Sequence, residues 1–346
     1  MRVIRWLLLA APASWVLWAL DGPPVAIFVV SALAVVPLAA AMGRSTEVLA
    51  SRTGPALGGL LNATFGNAAE LLLALAALRA GLLDLVKASV TGSILGNLLL
   101  ILGLALMAGG LRRPILTFNR TAAGTGGAML LLAVVGLVFP TLFAASHPKA
   151  TALTSVHLSE GVAVVLGCTY GLSLVFSLVT HRRLFQTVPA TEPVSQGVGT
   201  AIATLAGATA LVALQSEILI GATESAVTRL GWSETFLGLI VIPLIGNAAE
   251  NASAVVVARK GQTELALSIT LGSSTQVALF VAPVLVGAGV LMGQPMHLAF
   301  TAFEVVALGL AALIVTVIAL DGESHWFEGA QLLAVYAILA IAAWFV

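Results

Sequence analysis

Apolar stretches of roughly twenty residues follow one another along nearly the whole chain, separated only by short clusters of charged, proline or glycine residues. A helix needs about 20 apolar residues to cross the hydrocarbon core of a bilayer, so this succession dictates a polytopic, all-α integral membrane protein. Composition closes the alternative: of 346 residues 60% are hydrophobic and 9% charged, against about 25% charged in soluble domains. No soluble fold hides that much apolar surface. Lys and Arg number 15, as do Asp and Glu. No net charge therefore recruits nucleic acid or an acidic partner, and the surface belongs to the lipid bilayer. The one cysteine, Cys168, lies in an apolar run, which rules out an intramolecular disulfide, a CxxC pair and a Cys/His zinc cluster.

The interruptions mark about eleven transmembrane spans, near residues 5–20, 24–43, 55–79, 84–109, 118–143, 156–180, 197–224, 234–258, 263–292, 297–319 and 326–346. Residues 1–5 followed by an apolar run to Leu20 read as a signal peptide or a short first helix. No small-x-small cleavage site precedes Asp21, which favours a retained helix. Alternating the loops between two sides gathers Arg2, Arg5, Arg44, Arg52, Arg112, Arg113, Arg120, Arg182, Arg183, Arg259 and Lys260 on one side. Only Arg79, Lys87, Lys149 and Arg229 fall on the other. Positive residues accumulate in the cytoplasm, so the N-terminus is expected inside and the C-terminus outside. Short loops and a minimal linker suit a prokaryotic plasma (inner) membrane.

One pentapeptide recurs letter for letter: Gly66-Asn67-Ala68-Ala69-Glu70 and Gly246-Asn247-Ala248-Ala249-Glu250. Each copy lies nine residues before an arginine (Arg79, Arg259) and one helix before a Gly-Ser pair, Gly92-Ser93 and Gly272-Ser273. Upstream, Thr46-Glu47 and Thr223-Glu224 correspond as well. Each unit thus covers about five helices, and an odd number of spans inverts the second copy, a transporter architecture with its site at the interface of the repeats. The expected division is an N-terminal transmembrane helix over 1–23, a first five-helix repeat over 24–180, a cytoplasmic linker over 181–196 and a second, inverted five-helix repeat over 197–346.

Glu70 and Glu250 each fall near the middle of a span, where a charge costs at least about 2.5–3.5 kcal/mol. Two such carboxylates neutralise a divalent cation, and Ca²⁺ takes six to eight oxygens in flexible geometry. Asn62, Gly66 and Glu70 are spaced i, i+4, i+8, and Asn67 stands three before Glu70, so one helix face is polar. Asn247 repeats the arrangement for Glu250, and Asn251 adds an amide. Pro243, Gly66 and Gly246 loosen the motif helices, so freed backbone carbonyls are expected at the site. On the following helices Ser93, Asn97, Ser273 and Gln276 are further ligand candidates, with Ser93 and Ser273 in matching positions; Ser89, Ser274 and Thr275 are weaker ones. Burial disfavours a charged carboxyl and a bound cation favours it, so protons and cation compete for Glu70 and Glu250, and exchange of one for the other follows. Glu47, Glu217 and Glu224, near the helices opening the repeats, are candidates for lining the approach.

Bland readings suffice elsewhere. Small residues on the motif helices also serve helix packing. Glu160 and Glu304 have apolar surroundings and fit a structural hydrogen bond or an interfacial position. The five histidines form no metal-binding spacing, and Trp6, Trp15, Trp18, Trp232, Trp326 and Trp344 fit an interfacial aromatic belt. An intramembrane enzyme would need a nucleophile or metal constellation, and none is present.

Through residues 61–70 (LNATFGNAAE) with 87–97 (KASVTGSILGN), and 243–250 (PLIGNAAE) with 271–276 (LGSSTQ), the sequence resembles the calcium/cation antiporter superfamily, and within it the cation/proton exchanger family of calcium/proton antiporters. The resemblance spans nearly the whole chain. It implies one extra helix plus five and five, calcium held between the third and eighth spans by Glu70 and Glu250, and alternating access as the opening helices of each repeat slide. The chain departs from the family at Asn251, where histidine is usual, and in its 181–197 linker, which has one acidic residue where many members are strongly acidic. The expected activity is export of cytoplasmic Ca²⁺ against H⁺, with no resident cofactor. A sodium-coupled exchanger of the same superfamily and, in another class, a cation channel are the competing expectations.

Overall fold

The first long helix runs without interruption from Pro24 to Thr53, ten residues beyond the expected end, because Arg44-Ser45-Thr46-Glu47 extends the helix instead of breaking it. Ser45 and Thr46 are buried at 1% exposure while Arg44 and Glu47 are exposed, so both kinds of polar group are accommodated within one helical turn. The computed structural model describes residues 7–53, 55–149, 151–184 and 197–345. Arg2, Arg5, Trp6 and linker residues 185–196 lie outside the described residues.

In chain order the helices are α1 (Ala10–Ala19), α2 (Pro24–Thr53), α3 (Pro55–Phe65), α4 (Ala68–Arg79), α5 (Leu83–Gly110), α6 (Arg120–Ser146), α7 (Leu153–Thr180), α8 (Val198–Leu230), α9 (Glu234–Gly246), α10 (Ala248–Arg259), α11 (Thr263–Leu291), α12 (Ala302–Ile318) and α13 (Trp326–Trp344). Among the described residues eight helices are long and apolar enough to cross a membrane, counting α3 and α4 as one. A ninth results if α9 and α10, bent by 65° where they meet, form one span. This is an all-helical integral membrane protein. π-helical turns interrupt α5 at Gly96–Ile101 and α11 at Val277–Val281, positions at which such bulges often mark function.

Burial sets the layout. In its most apolar window α5 is 83% buried, whereas α7 is 17% buried, so α5 runs through the centre and α7 along the lipid-facing rim. Glycine permits the closest crossings: a Cβ on Gly92 of α5 would overlap the backbone of Leu239 in α9, and Gly103 of α5 and Gly329 of α13 approach each other backbone to backbone. Helix α2 packs along α8, and this pair leans on the motif helices, α2 on α9 and α10, α8 on α4. Leu38, Ala39, Met42, Ala68, Ala69, Ala201, Ala208 and Val212 form a core cluster in this region. Two-residue strands β1 (Leu116–Thr117) and β2 (Glu323–Ser324) pair antiparallel and tie the loop before α6 to the loop before α13.

Helix α12 starts later than the expected span at 297. Residues before it are extended, with Leu298 N–H donating to Ser159 Oγ at 2.8 Å and Phe300 N–H to Thr141 Oγ1 at 2.9 Å. Side chains of α6 and α7 thus satisfy backbone donors that a helix would have satisfied internally. Thr301 and Glu304 form a reciprocal capping box at the start of α12, which gives Glu304 the structural hydrogen bond expected of it. Thr301→Ala should destabilise the protein by about 1 kcal/mol, read as a lower thermal midpoint in detergent with transport unchanged. Trp15 departs from the aromatic-belt expectation: its indole N–H donates to Gln215 Oε1 at 3.0 Å, inside the bundle.

Candidate functional site

Both copies of the repeated pentapeptide sit at a helix break. Asn67 (φ −99°, ψ 21°) separates α3 from α4, and Asn247 (φ −94°, ψ 2°) separates α9 from α10. An asparagine at a helix N-cap ordinarily bonds its own helix, but neither side chain does so here. Both reach across to the other copy. Asn247 donates to Glu70 Oε1 and, at 3.4 Å, to Ser93 Oγ. Asn67 donates to Gln276 Oε1 at 2.7 Å and accepts from the Ser273 hydroxyl at 2.9 Å.

The glycines follow the same crossed rule. A Cβ on Gly246 would stand 3.0 Å from Glu70 Cγ, and one on Gly66 would stand 3.6 Å from Glu250 Oε1 and 3.4 Å from Gln276 Oε1. Each motif's glycine therefore clears room for the other motif's glutamate. The breaks also put Glu70 and Glu250 in the first turns of α4 and α10, where the helix dipole favours negative charge.

Around the two carboxylates the partners are unequal. Glu70, 7% exposed, accepts on Oε1 from the Ser93 hydroxyl as well as from Asn247. The Oε2 atoms of both Glu70 and Glu250 are buried without a hydrogen-bond partner, and the two carboxylates lie within electrostatic reach of each other. Asn97 donates to Ser273 Oγ at 3.0 Å, so Asn97, Ser273, Asn67 and Gln276 form a continuous chain of hydrogen bonds. Buried oxygens without donors cost free energy unless a cation or proton meets them. Among the described residues no group of three or more His, Cys, Asp or Glu is present. The cluster is instead two carboxylates with amides and hydroxyls, the hard oxygen set that suits Ca²⁺ over softer metals.

All eight expected ligand candidates, Glu70, Glu250, Asn67, Asn247, Ser93, Ser273, Asn97 and Gln276, thus fall in one neighbourhood. The expectation of freed carbonyls is corrected at four positions. Gly66 N–H bonds Asn62 O at 2.8 Å, Leu71 N–H bonds Asn67 O at 2.9 Å, Asn247 N–H bonds Pro243 O at 3.0 Å, and Asn251 N–H bonds Asn247 O at 2.9 Å. Helical bonding continues up to each break and resumes just after it, and the missing N–H of Pro243 falls one turn earlier, beside the π-helical turn Leu237–Val241.

Of the approach candidates, Glu47 lies within electrostatic reach of Glu250. Glu217 instead faces Arg79 at 3.4 Å, both side chains exposed, and Glu224 is exposed on α8. Sequence reasoning passed over Gln215, fully buried and bonded to α1. Its signal was a lone amide in an apolar stretch, which inside a membrane demands a partner.

Comparison with known proteins shows the family and the fold. The sodium/calcium exchanger protein family matches residues 23–179 and 200–345. A Ca²⁺/H⁺ antiporter of Synechocystis sp. is 44% identical over 99% of this chain and 97% of its own length. One of Aphanothece halophytica is 43% identical over 98% and 95%. The solved structure of native YfkE superposes with a TM-score of 0.88 at 37% identity, covering 99% of this chain and 100% of that one.

Proposed function

The chain belongs to the sodium/calcium exchanger protein family, a family of transporters and not of enzymes, and we propose that this member is a secondary-active antiporter exchanging cytoplasmic Ca²⁺ for protons by alternating access. The observation that carries the reading is the crossed cluster, in which Asn247 completes the setting of Glu70 while Asn67 and Gly66 stand with Ser273, Gln276 and Glu250. Antiporters of this name among its relatives supply the ion pair.

Glu70 and Glu250 supply the two charges that balance Ca²⁺ and receive protons when it leaves, so the empty carrier reorients without an unbalanced charge in the membrane. Asn67, Asn247, Ser93 and Ser273 contribute oxygens from both halves, and Asn97 and Gln276 close the ring. Glu47, within electrostatic reach of Glu250, lines the approach, as do the exposed Glu217 and Glu224 on α8. No cofactor takes part.

The succession of a long helix, a broken helix and a π-interrupted helix occurs as α2, α3–α4, α5 and again as α8, α9–α10, α11. It supports two inverted five-helix repeats over 24–180 and 197–346, joined by the 181–196 linker and preceded by the 1–23 helix. Eleven crossings result when α1, α9–α10 and α12 each count as a span. The loop charges support an N-terminus in the cytoplasm and a C-terminus outside, in a prokaryotic plasma membrane.

The test is calcium flux in proteoliposomes whose interior is acidified, with no sodium present. Outward proton flow should drive calcium inward, and acidifying the calcium-loading side should slow it, because protons compete for the carboxylates. Uptake that requires sodium would move the protein to sodium-coupled exchange. A calcium conductance that responds to voltage alone would make it a channel.

A further inference from the structure

Two polar ties of opposite character reach α8. The first is buried: Gln215, at 0% exposure, donates to Ser14 Oγ at 2.6 Å and accepts from the Trp15 indole at 3.0 Å. Ser14, also at 0% exposure, passes its own hydrogen to Ala11 O at 2.8 Å within α1. The amide oxygen and nitrogen of Gln215 thus each bond α1. The second tie is the ion pair of Glu217 with Arg79 of α4, whose side chains are 51% and 73% exposed. Exposed pairs contribute little, whereas opening the buried clamp would strand three polar groups in an apolar medium.

Helix α1 also lies against α2, and α2 packs along α8. The core cluster shared by α2, α8 and α4 mixes Ala39, Ala68, Ala69, Ala201 and Ala208 with longer side chains such as Leu38, Met42 and Leu205.

We propose that Gln215, as a positioning residue, fastens α1 to α8 so that α1 travels with the opening helices α2 and α8 during transport, while the Arg79–Glu217 pair opens and closes. This rests on the alternating-access reading above. Helix α1 is then a third member of the moving unit.

The experiment measures spin-label distances in a Cys168→Ala background, in vesicles that are also assayed for calcium–proton exchange. One pair joins α1 to the end of α8, at Leu20 and Leu230, which are 75% and 36% exposed. The other joins α1 to the end of α11, at Leu20 and Leu291, the latter 89% exposed. Between saturating calcium at alkaline pH and no calcium at acid pH, the first distance should hold within about 2 Å and the second should shift by about 5 Å. Equal shifts in both pairs, or none in either, would overturn the proposal. If exchange is present when that happens, the transport reading survives alone; if exchange is absent, both fall. Gln215→Leu should broaden the Leu20–Leu230 distribution and lower the maximal rate about tenfold with half-saturating calcium unchanged. Should that variant not fold, the distances in the chain that keeps Gln215 decide.

Discussion

Glu70→Gln and Glu250→Gln should each reduce proton-driven calcium flux at least about a hundredfold, while the proteins still insert and elute as the unaltered chain does. Glutamine keeps the size of the side chain and an oxygen that can accept from Ser93 and Asn247, so the buried polar network around Glu70 retains its shape. What it removes is one of two charges facing a divalent ion in a low-dielectric setting. Breaking one member of a buried charge pair costs about 3–5 kcal/mol, and each 1.4 kcal/mol is tenfold in affinity. The two variants should also fail alike, since neither carboxylate alone neutralises the ion. Flux surviving in either variant would take that glutamate out of the ion pathway.

The second large effect concerns glycines that look equivalent in the repeated sequence. Gly92 precedes Ser93 as Gly272 precedes Ser273, yet a Cβ on Gly92 would overlap the Leu239 backbone, whereas one on Gly272 would meet nothing within 4 Å. Gly92→Ala should therefore push α5 from α9 and carry Ser93 away from Glu70, lowering transport about tenfold or more, since overpacking costs about 1–3 kcal/mol even where side chains can yield. Gly272→Ala should stay within about twofold. Transport rates of the two alanine variants, normalised to folded protein in the same vesicles, provide the check; equal loss in both would mean that the α5–α9 crossing does not constrain the site.

The membrane class, the pairing of Glu70 with Glu250 and the membership of the site were legible because a letter-for-letter repeat and two acids inside apolar runs have few physical explanations. The crossing of the motifs was not. Spacing along a helix shows that Asn67 shares a face with Glu70, but only tertiary packing reveals that its side chain goes to Ser273 and Gln276. The end of α2 was misplaced because four polar residues in a row read as a boundary, whereas on the helix they divide between a buried and an exposed face. The extended segment before α12 left a signal that the hydropathy of the run obscured. Met296, Leu298 and Phe300 are buried at 1%, 0% and 7% exposure and alternate with less buried neighbours, the period of a strand and not of a helix.

The crossed cluster has a consequence for biosynthesis. Asn247, the amide partner of Glu70, stands 177 positions later in the chain. At about 5–20 residues per second, the ribosome takes roughly ten to thirty-five seconds to supply it. For most of that interval the first motif is in or entering the bilayer with Ser93 as the only one of its two carboxylate donors yet made. The first half on its own cannot be a half-strength version of the protein. Nascent chains halted before the second motif should hold Glu70 in an incomplete setting, making them the natural substrates of membrane quality control, and maturation should register as a single late event when the second pentapeptide docks.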